Sequence, residues 1–211
     1  MAEKIFHFFH LWIGGIWKQV VIEHFGYLKE SKLINNLSGL YIGLVGNKEG
    51  REEAKILLNT FGVPFEIVCE KNEGFEQETL DKMYEFSLLT DGFCLYAHNK
   101  ACYHQGPAGD AWRKSMSYYN IIKWRESISH LKDHHASGVY LLTPERFPGL
   151  VKSPFYGGNF MIVRLDYFRT LGYPKRESRY SAESHIGTNK DFKGYSYDSR
   201  WPSMEVFVTK W

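Results

Sequence analysis

Lys4-Ile5-Phe6-His7-Phe8-Phe9-His10 is a short apolar and aromatic run, broken by Gly14-Gly15, and it reads as a first strand. Downstream, Trp17, Val20, Val21, His24, Phe25 and Leu28 recur three and four apart, which predicts a helix over residues 17–28. The run LYIGLV at 40–45 predicts a second strand ending at Gly46-Asn47, and residues 49–61 a second helix closed by Gly62 and Pro64. A third strand (65–69), a third helix (76–89) and a fourth strand (92–97, GFCLYA) follow. Strand and helix thus alternate through the first half, which implies right-handed βαβ units and a mostly parallel sheet with helices on both faces. A polar loop (98–110), a long helix (112–130), a fifth strand (139–142), a sixth (158–163) and a short helix (166–171) complete the pattern. The expectation is an α/β fold: one domain around a mostly parallel central sheet of about six strands.

Bulk properties narrow the function classes. At 211 residues, 44% hydrophobic and 24% charged, the chain can bury a sizeable core and is not of disordered composition. Aromatic residues make up 17%, which suits sugar or base stacking as well as a Phe-rich core. The net charge is +2, with basic and acidic residues interspersed, which speaks against a nucleic-acid partner. Three cysteines (Cys69, Cys94, Cys102) without a CxxC pair support neither a disulfide framework nor a zinc site, and fit a reducing, cytoplasmic setting. The nine histidines, among them His7 and His10 and the adjacent His134-His135, lack carboxylate or Cys partners at ligand spacing. No apolar stretch is long enough to span a membrane, and the first residues lack the basic region and cleavage site of a signal peptide.

In a parallel sheet of this kind, ligands sit outside the carboxyl ends of the strands. That rule selects His10, Asn47, Glu70 to Gly74 (with Asn72) and His98-Asn99-Lys100. Free amides at a strand-to-helix turn can hold phosphate, and Gly74 permits a tight turn; the same residues also make an ordinary connection. Lys100, with or without His98, can neutralise phosphate charge without a metal. Arg113 in Trp112-Arg113-Lys114-Ser115-Met116 has a guanidinium fork that matches phosphate, and equally reads as a surface charge. Gly157 and Gly158 allow close backbone approach, and the Asn159 amide can bind sugar hydroxyls. Glu183 follows a polar stretch where a carboxylate can open a helix.

Taken together these residues resemble GT-A glycosyltransferases. Such enzymes carry a Gly-Gly segment on a late strand, then a helix with an aromatic and Leu-Gly, then an acidic catalytic base. Here that order reads Gly157-Gly158-Asn159-Phe160, then Tyr167 to Leu171-Gly172-Tyr173, then Glu183. More narrowly, the chain is similar to small glycosyltransferase-like proteins of bacterial polysaccharide clusters and large DNA viruses. Their pattern is Tyr-Leu-His-x-Lys-Gly, Trp-Arg-x-x-Met, Gly-Asn-Phe-Trp-Trp-Ala and Ala-Glu. It is matched by Tyr96-Ala97-His98-Asn99-Lys100-Ala101, Trp112 to Met116, Gly158-Asn159-Phe160-Met161 and Ala182-Glu183, over roughly residues 4–187. Ala101 and Met161-Ile162 depart from the pattern, and the Asp-x-Asp that holds Mn2+ or Mg2+ in many GT-A enzymes is absent.

The resemblance implies one GT-A-like (Rossmann-like) domain over 1–211. Residues 1–100 form its nucleotide-sugar half, 101–187 its acceptor and catalytic half, and 188–211 a C-terminal segment or lid. The end at Lys210-Trp211 fits one domain of a longer protein. It implies transfer of a hexosyl or deoxyhexosyl group from a nucleoside-diphosphate sugar, a UDP-sugar favoured, to a glycan hydroxyl in polysaccharide or glycoprotein glycan synthesis. His10, Asn47, Glu70, Asn72 and Gly74 would line the nucleotide. His98, Asn99, Lys100 and Arg113 would meet the diphosphate, and Gly157, Gly158 and Asn159 the acceptor. Glu183 as base gives inversion; if it only positions the acceptor, a retaining reaction stands. Mn2+ or Mg2+ has no assigned ligands. Two other classes are carried: a catalytically silent nucleotide- or glycan-binding module, and a nicotinamide oxidoreductase, which the missing G-x-G-x-x-G disfavours.

Overall fold

The computed structural model describes residues 4–102, 106–178 and 180–198. Its centre is β1 (Ile5–Trp12), flanked by β2 (Gly39–Val45) and β4 (Phe93–His98), both parallel to it. Beyond β2 lies β3 (Glu66–Lys71), also parallel. Beyond β4, β8 (Met161–Arg164) runs antiparallel to both β4 and β5 (Ala136–Gly138), and β9 (Gly194–Ser196) pairs parallel to β5. The order is β3-β2-β1-β4-β8-β5-β9: seven strands, mostly parallel, where about six were expected. A separate hairpin joins β6 (Leu141–Leu142) to β7 (Phe155–Tyr156).

β1 is buried on both faces, which explains its unbroken apolar run. Alternation divides its side chains. Ile5, Phe9 and Leu11 pack with Val20, Val21, Phe25 and Leu28 of α1 (Trp17–Glu30) and with Ala54 and Leu58 of α2 (Lys48–Asn59). Phe6 and Phe8 pack on the opposite layer, with Leu80 and Met83 of α3 (Gln77–Ser87). That second layer also takes Leu165 and Phe168 of α6 (Leu165–Phe168) and Ala182 of α7 (Ser181–Ser184).

The second half departs from the sequence expectations in three places. The long helix starts earlier, at Pro107, a residue suited to a first helical position, and it is not continuous. α4 (Pro107–Ser117) gives way to a single π-helical turn over Tyr118–Ile122 before α5 (Trp124–His130). The fifth strand of the main sheet lies earlier than the expected 139–142, at Ala136–Gly138, and Tyr140, at φ 61°, turns Leu141–Leu142 of the expected range into the hairpin. Within the expected lid, Gly194–Ser196 is a sheet strand; residues 199–211 lie outside the described residues. Among the described residues no helix is long and apolar enough to cross a membrane.

Candidate functional site

The chain leaves β1 for β2 and β3 on one side, then crosses to β4 on the other. The break between β1 and β4 is therefore the switch point at which open α/β sheets leave a crevice beyond their carboxyl ends. His10 and His98 are cross-strand partners there, and alternation turns Tyr96 and His98 toward the layer that contains α3.

His10 is buried, and its Nδ1 lies 2.7 Å from the Thr79 hydroxyl of α3. Burial holds its pKa down to about 4, against an opposing pull from Glu76. Gly43 permits this contact: a Cβ there would lie 2.0 Å from Thr79 Oγ1. The His98 ring is likewise pushed down to about 3, first by burial and then by the Lys100 charge, and its Nε2 lies 2.9 Å from the Gly158 carbonyl. Asn99 works as a clamp. Its Oδ1 accepts from the Trp12 amide at 2.9 Å and its Nδ2 donates to the Trp12 carbonyl at 2.7 Å, tying the two strand ends together.

Lys100 reaches two groups. Its ammonium lies 4.5 Å from the centre of the Trp112 ring and 3.6 Å from Glu183 Oε1. Glu183 comes from α7, and burial pushes its carboxyl above the usual carboxylate range, with Lys100 pulling the other way. Gly157, Gly158 and Asn159 form a buried floor. Gly158 (φ 92°) packs so tightly that a Cβ would lie 2.5 Å from Met116 Sδ, and Asn159 holds a left-handed backbone at φ 53°. The Asn159 amide donates to Glu76 Oε2 at 2.7 Å.

The structure thus brings together His10, His98, Asn99, Lys100, Glu183 and the 157–159 floor. It adds Glu76, just ahead of α3, which sequence reasoning treated only as the start of a helix. The signal available was an acidic residue at a strand-to-helix turn following a selected strand end.

The remaining expected donor ligands lie elsewhere. Arg113 is buried and forms a bidentate pair with Glu23 at 2.8 and 3.0 Å, plus a contact to Asp110 at 3.0 Å, and so ties α4 to α1. Asn47 caps α2 through Gly50 N. Glu70 pairs with Lys55 and Arg51, and Asn72 accepts from Arg51, so both belong to an ion-pair network at the β3 edge. Gly74 takes φ 152° in the turn before α3.

The loop after β4 does not fit a divalent ion. The Asn99 amide is spent on Trp12, His98 Nε2 on Gly158, and an ammonium stands beside the Glu183 carboxylate. Among the described residues no group of three or more His, Cys, Asp or Glu is placed to hold a metal. A cleft of about 600 Å3 lies at the opposite end of β4, beside Asp91, Phe93, Arg125 and Arg164. It is at the wrong end of the parallel strands for a switch-point site, and Arg164 there is already paired with Asp166.

The architecture is a GT-A-like α/β fold. The chain belongs to a family described as a domain of unknown function (DUF8361), whose profile matches residues 16–201. Comparison with curated proteins gives no match. Among solved structures it is similar to a mannosyltransferase from Pyrobaculum calidifontis, solved in complex with GDP-Man and Mn2+. The TM-score is 0.58 at 8% identity, over 94% of this chain and 55% of the other, so the present chain spans about half that enzyme's length. It also aligns with 4-diphosphocytidyl-2C-methyl-D-erythritol synthase from Anaerococcus prevotii (TM-score 0.49, 8% identity, 99% and 97% covered). A Desulfovibrio desulfuricans protein described as a nucleotide-diphospho-sugar transferase gives a TM-score of 0.44 at 12% identity, with 94% and 80% covered.

Proposed function

We propose that the chain is a glycosyltransferase that takes its sugar from a nucleoside-diphosphate donor held at the β1/β4 switch point. One observation carries the reading: a half-buried carboxylate, Glu183, faces a cation, Lys100, beyond the carboxyl end of β4. Glycosyl transfer by the inverting route uses both charges. As the bond from the sugar's anomeric carbon to the diphosphate breaks, charge builds on the departing oxygen, and Lys100 is the group to meet it. The acceptor oxygen bonds to that carbon while its proton passes to Glu183. Burial raises the basicity of the Glu183 carboxylate, which suits it to that proton. Glu183 as base gives inversion at the anomeric carbon. Gly158 and Asn159 form the floor under the acceptor.

A UDP-sugar is the favoured donor, carrying a hexosyl or deoxyhexosyl group, and a glycan hydroxyl in polysaccharide or glycoprotein synthesis is the acceptor. The setting that goes with this chemistry is the cytoplasm of a bacterium with a polysaccharide cluster, or of a host infected by a large DNA virus. A catalytically silent nucleotide- or glycan-binding module is the second reading. What favours it is the Lys100–Glu183 contact itself, which must open before Glu183 can take a proton.

The test is product formation from a panel of UDP-, GDP- and CMP-sugars with mixed glycan acceptors. Glycosidic product that disappears in Glu183→Gln supports the transferase. Nucleotide binding without product from any donor supports the silent module.

A further inference from the structure

The Lys100 ammonium is held at two points. Glu183 Oε1 lies 3.6 Å away, and the centre of the Trp112 ring lies 4.5 Å away beneath it. The backbone behind the head is fixed. The Lys100 amide donates to the His98 carbonyl at 2.8 Å, Asn99 is tied to Trp12, and Ala101 takes the left-handed φ of 62° at which the chain turns back. The four-carbon stem has no such restraint, and a lysine head left to itself samples many rotamers. The two contacts confine it in a place largely closed to water: the Lys100 and Glu183 side chains are each 21% exposed. An ammonium over an aromatic face is held more strongly where it is desolvated.

The two contacts respond differently to a proton. Glu183 attracts the ammonium through its negative charge, and that attraction lapses once the carboxylate is protonated. In the proposed transfer this happens while charge builds on the departing oxygen, when the place of Lys100 matters most. The indole attracts a cation through its quadrupole, which a proton on Glu183 leaves unchanged. The same indole packs on the acceptor floor, since a Cβ on Gly158 would lie 3.2 Å from Trp112 Cε2. One half-buried ring thus spans the distance from the cation to the floor.

We infer that Trp112 is a positioning residue: its indole face seats the Lys100 ammonium, keeps it in place when Glu183 loses its charge, and sets its distance from the Gly158 floor. That the seated cation meets a diphosphate rests on the glycosyltransferase reading; the seat itself does not.

Carbon-13 and proton NMR of the full chain, labelled at lysine, tests the seat without a ligand, with Lys100→Met assigning the Lys100 signals. A methylene held over an indole face is moved upfield by the ring current. The Lys100 ε-methylene protons should lie upfield of those of the exposed lysines in the native chain, stay there in Glu183→Gln, and return to the ordinary position in Trp112→Leu. An ordinary position in the native chain, or an upfield one that is lost in Glu183→Gln, would overturn the inference. Titration with UDP and GDP reads the consequence for binding. Trp112→Leu should raise the dissociation constant about fivefold or more, Trp112→Phe should recover most of that loss, and in a Lys100→Met background Trp112→Leu should add nothing. An equal loss in the Lys100→Met background would show that the indole acts on the nucleotide or the fold and not through Lys100, and would remove the positioning role. If Trp112→Leu does not fold, the native and Glu183→Gln spectra and the Trp112→Phe affinity, alone and in the Lys100→Met background, decide the matter. An upfield signal in a native chain that binds neither UDP nor GDP would count against the donor site and leave the seat standing.

Discussion

Lys100 and Glu183 illustrate how far single residues could be read from the chain. Both were selected in advance, Lys100 by its place after an apolar strand and Glu183 by motif order, and the fold brings them to 3.6 Å. Replacing the base by an isosteric amide should leave nucleotide affinity intact and lower turnover by about 10²–10⁴-fold, measured by single-turnover product formation with Glu183→Gln. Normal turnover would remove Glu183 as base. Arg113 shows the opposite case. In sequence its fork suits phosphate as well as anything else; its partner Glu23 is 90 positions away, and only the packing of α4 on α1 reveals the pair. Glu76 was hidden for a related reason, since its contacts come from β4 and from the segment before β8.

At the scale of elements, two contacts position the site. α3 approaches β2 closely because Gly43 has no side chain, and this brings Thr79 to His10. Gly43→Ala should push α3 outward and cost about 1–3 kcal/mol by urea unfolding, as over-packing does. An unchanged midpoint would show that the close approach is not needed. The tie between α1 and α4 is the Arg113–Glu23 pair. Glu23→Ala leaves a buried guanidinium with Asp110 as its remaining carboxylate, and should cost about 2–4 kcal/mol, since breaking a buried pair from one side exposes the desolvation penalty. If instead Arg113 holds diphosphate, Glu23→Ala would leave stability unchanged and Arg113→Lys would weaken nucleotide binding. Apolar periodicity marks β1 to β4 and α1 to α3 well because each is long and one- or two-sided in burial. It misses the π-helical turn at Tyr118–Ile122, which leaves the apolar spacing of a long helix nearly unbroken, and it misses β9, three half-buried residues paired across 58 positions.

For the whole molecule, the mostly parallel character of the sheet is implicit in the alternation of strand and helix, whereas the antiparallel insertion of β8 between β4 and β5 has no local signal. The buried histidines give the fold a pH dependence. His7, His10 and His185 are held near pKa 4 by burial, and His24 well below 6.5, beside His7 at 2.8 Å. Above the unfolded value of 6.5 both states are neutral and nothing is lost. As pH falls below it the unfolded chain takes up protons that the folded chain refuses, so stability declines down to about 4, by up to about 1.4 kcal/mol per pH unit for each such ring. Urea midpoints measured across that range should fall steadily; a flat profile would mean that these rings are charged in the fold.

The central claim is a nucleoside-diphosphate site at the carboxyl ends of β1 and β4, and calorimetric titration with UDP, GDP and CMP tests it most directly, in the native chain and in Lys100→Ala. The account predicts saturable binding of one diphosphate, weakened about tenfold or more without the Lys100 charge. Binding that is indifferent to Lys100, or no binding of any of the three, would contradict it.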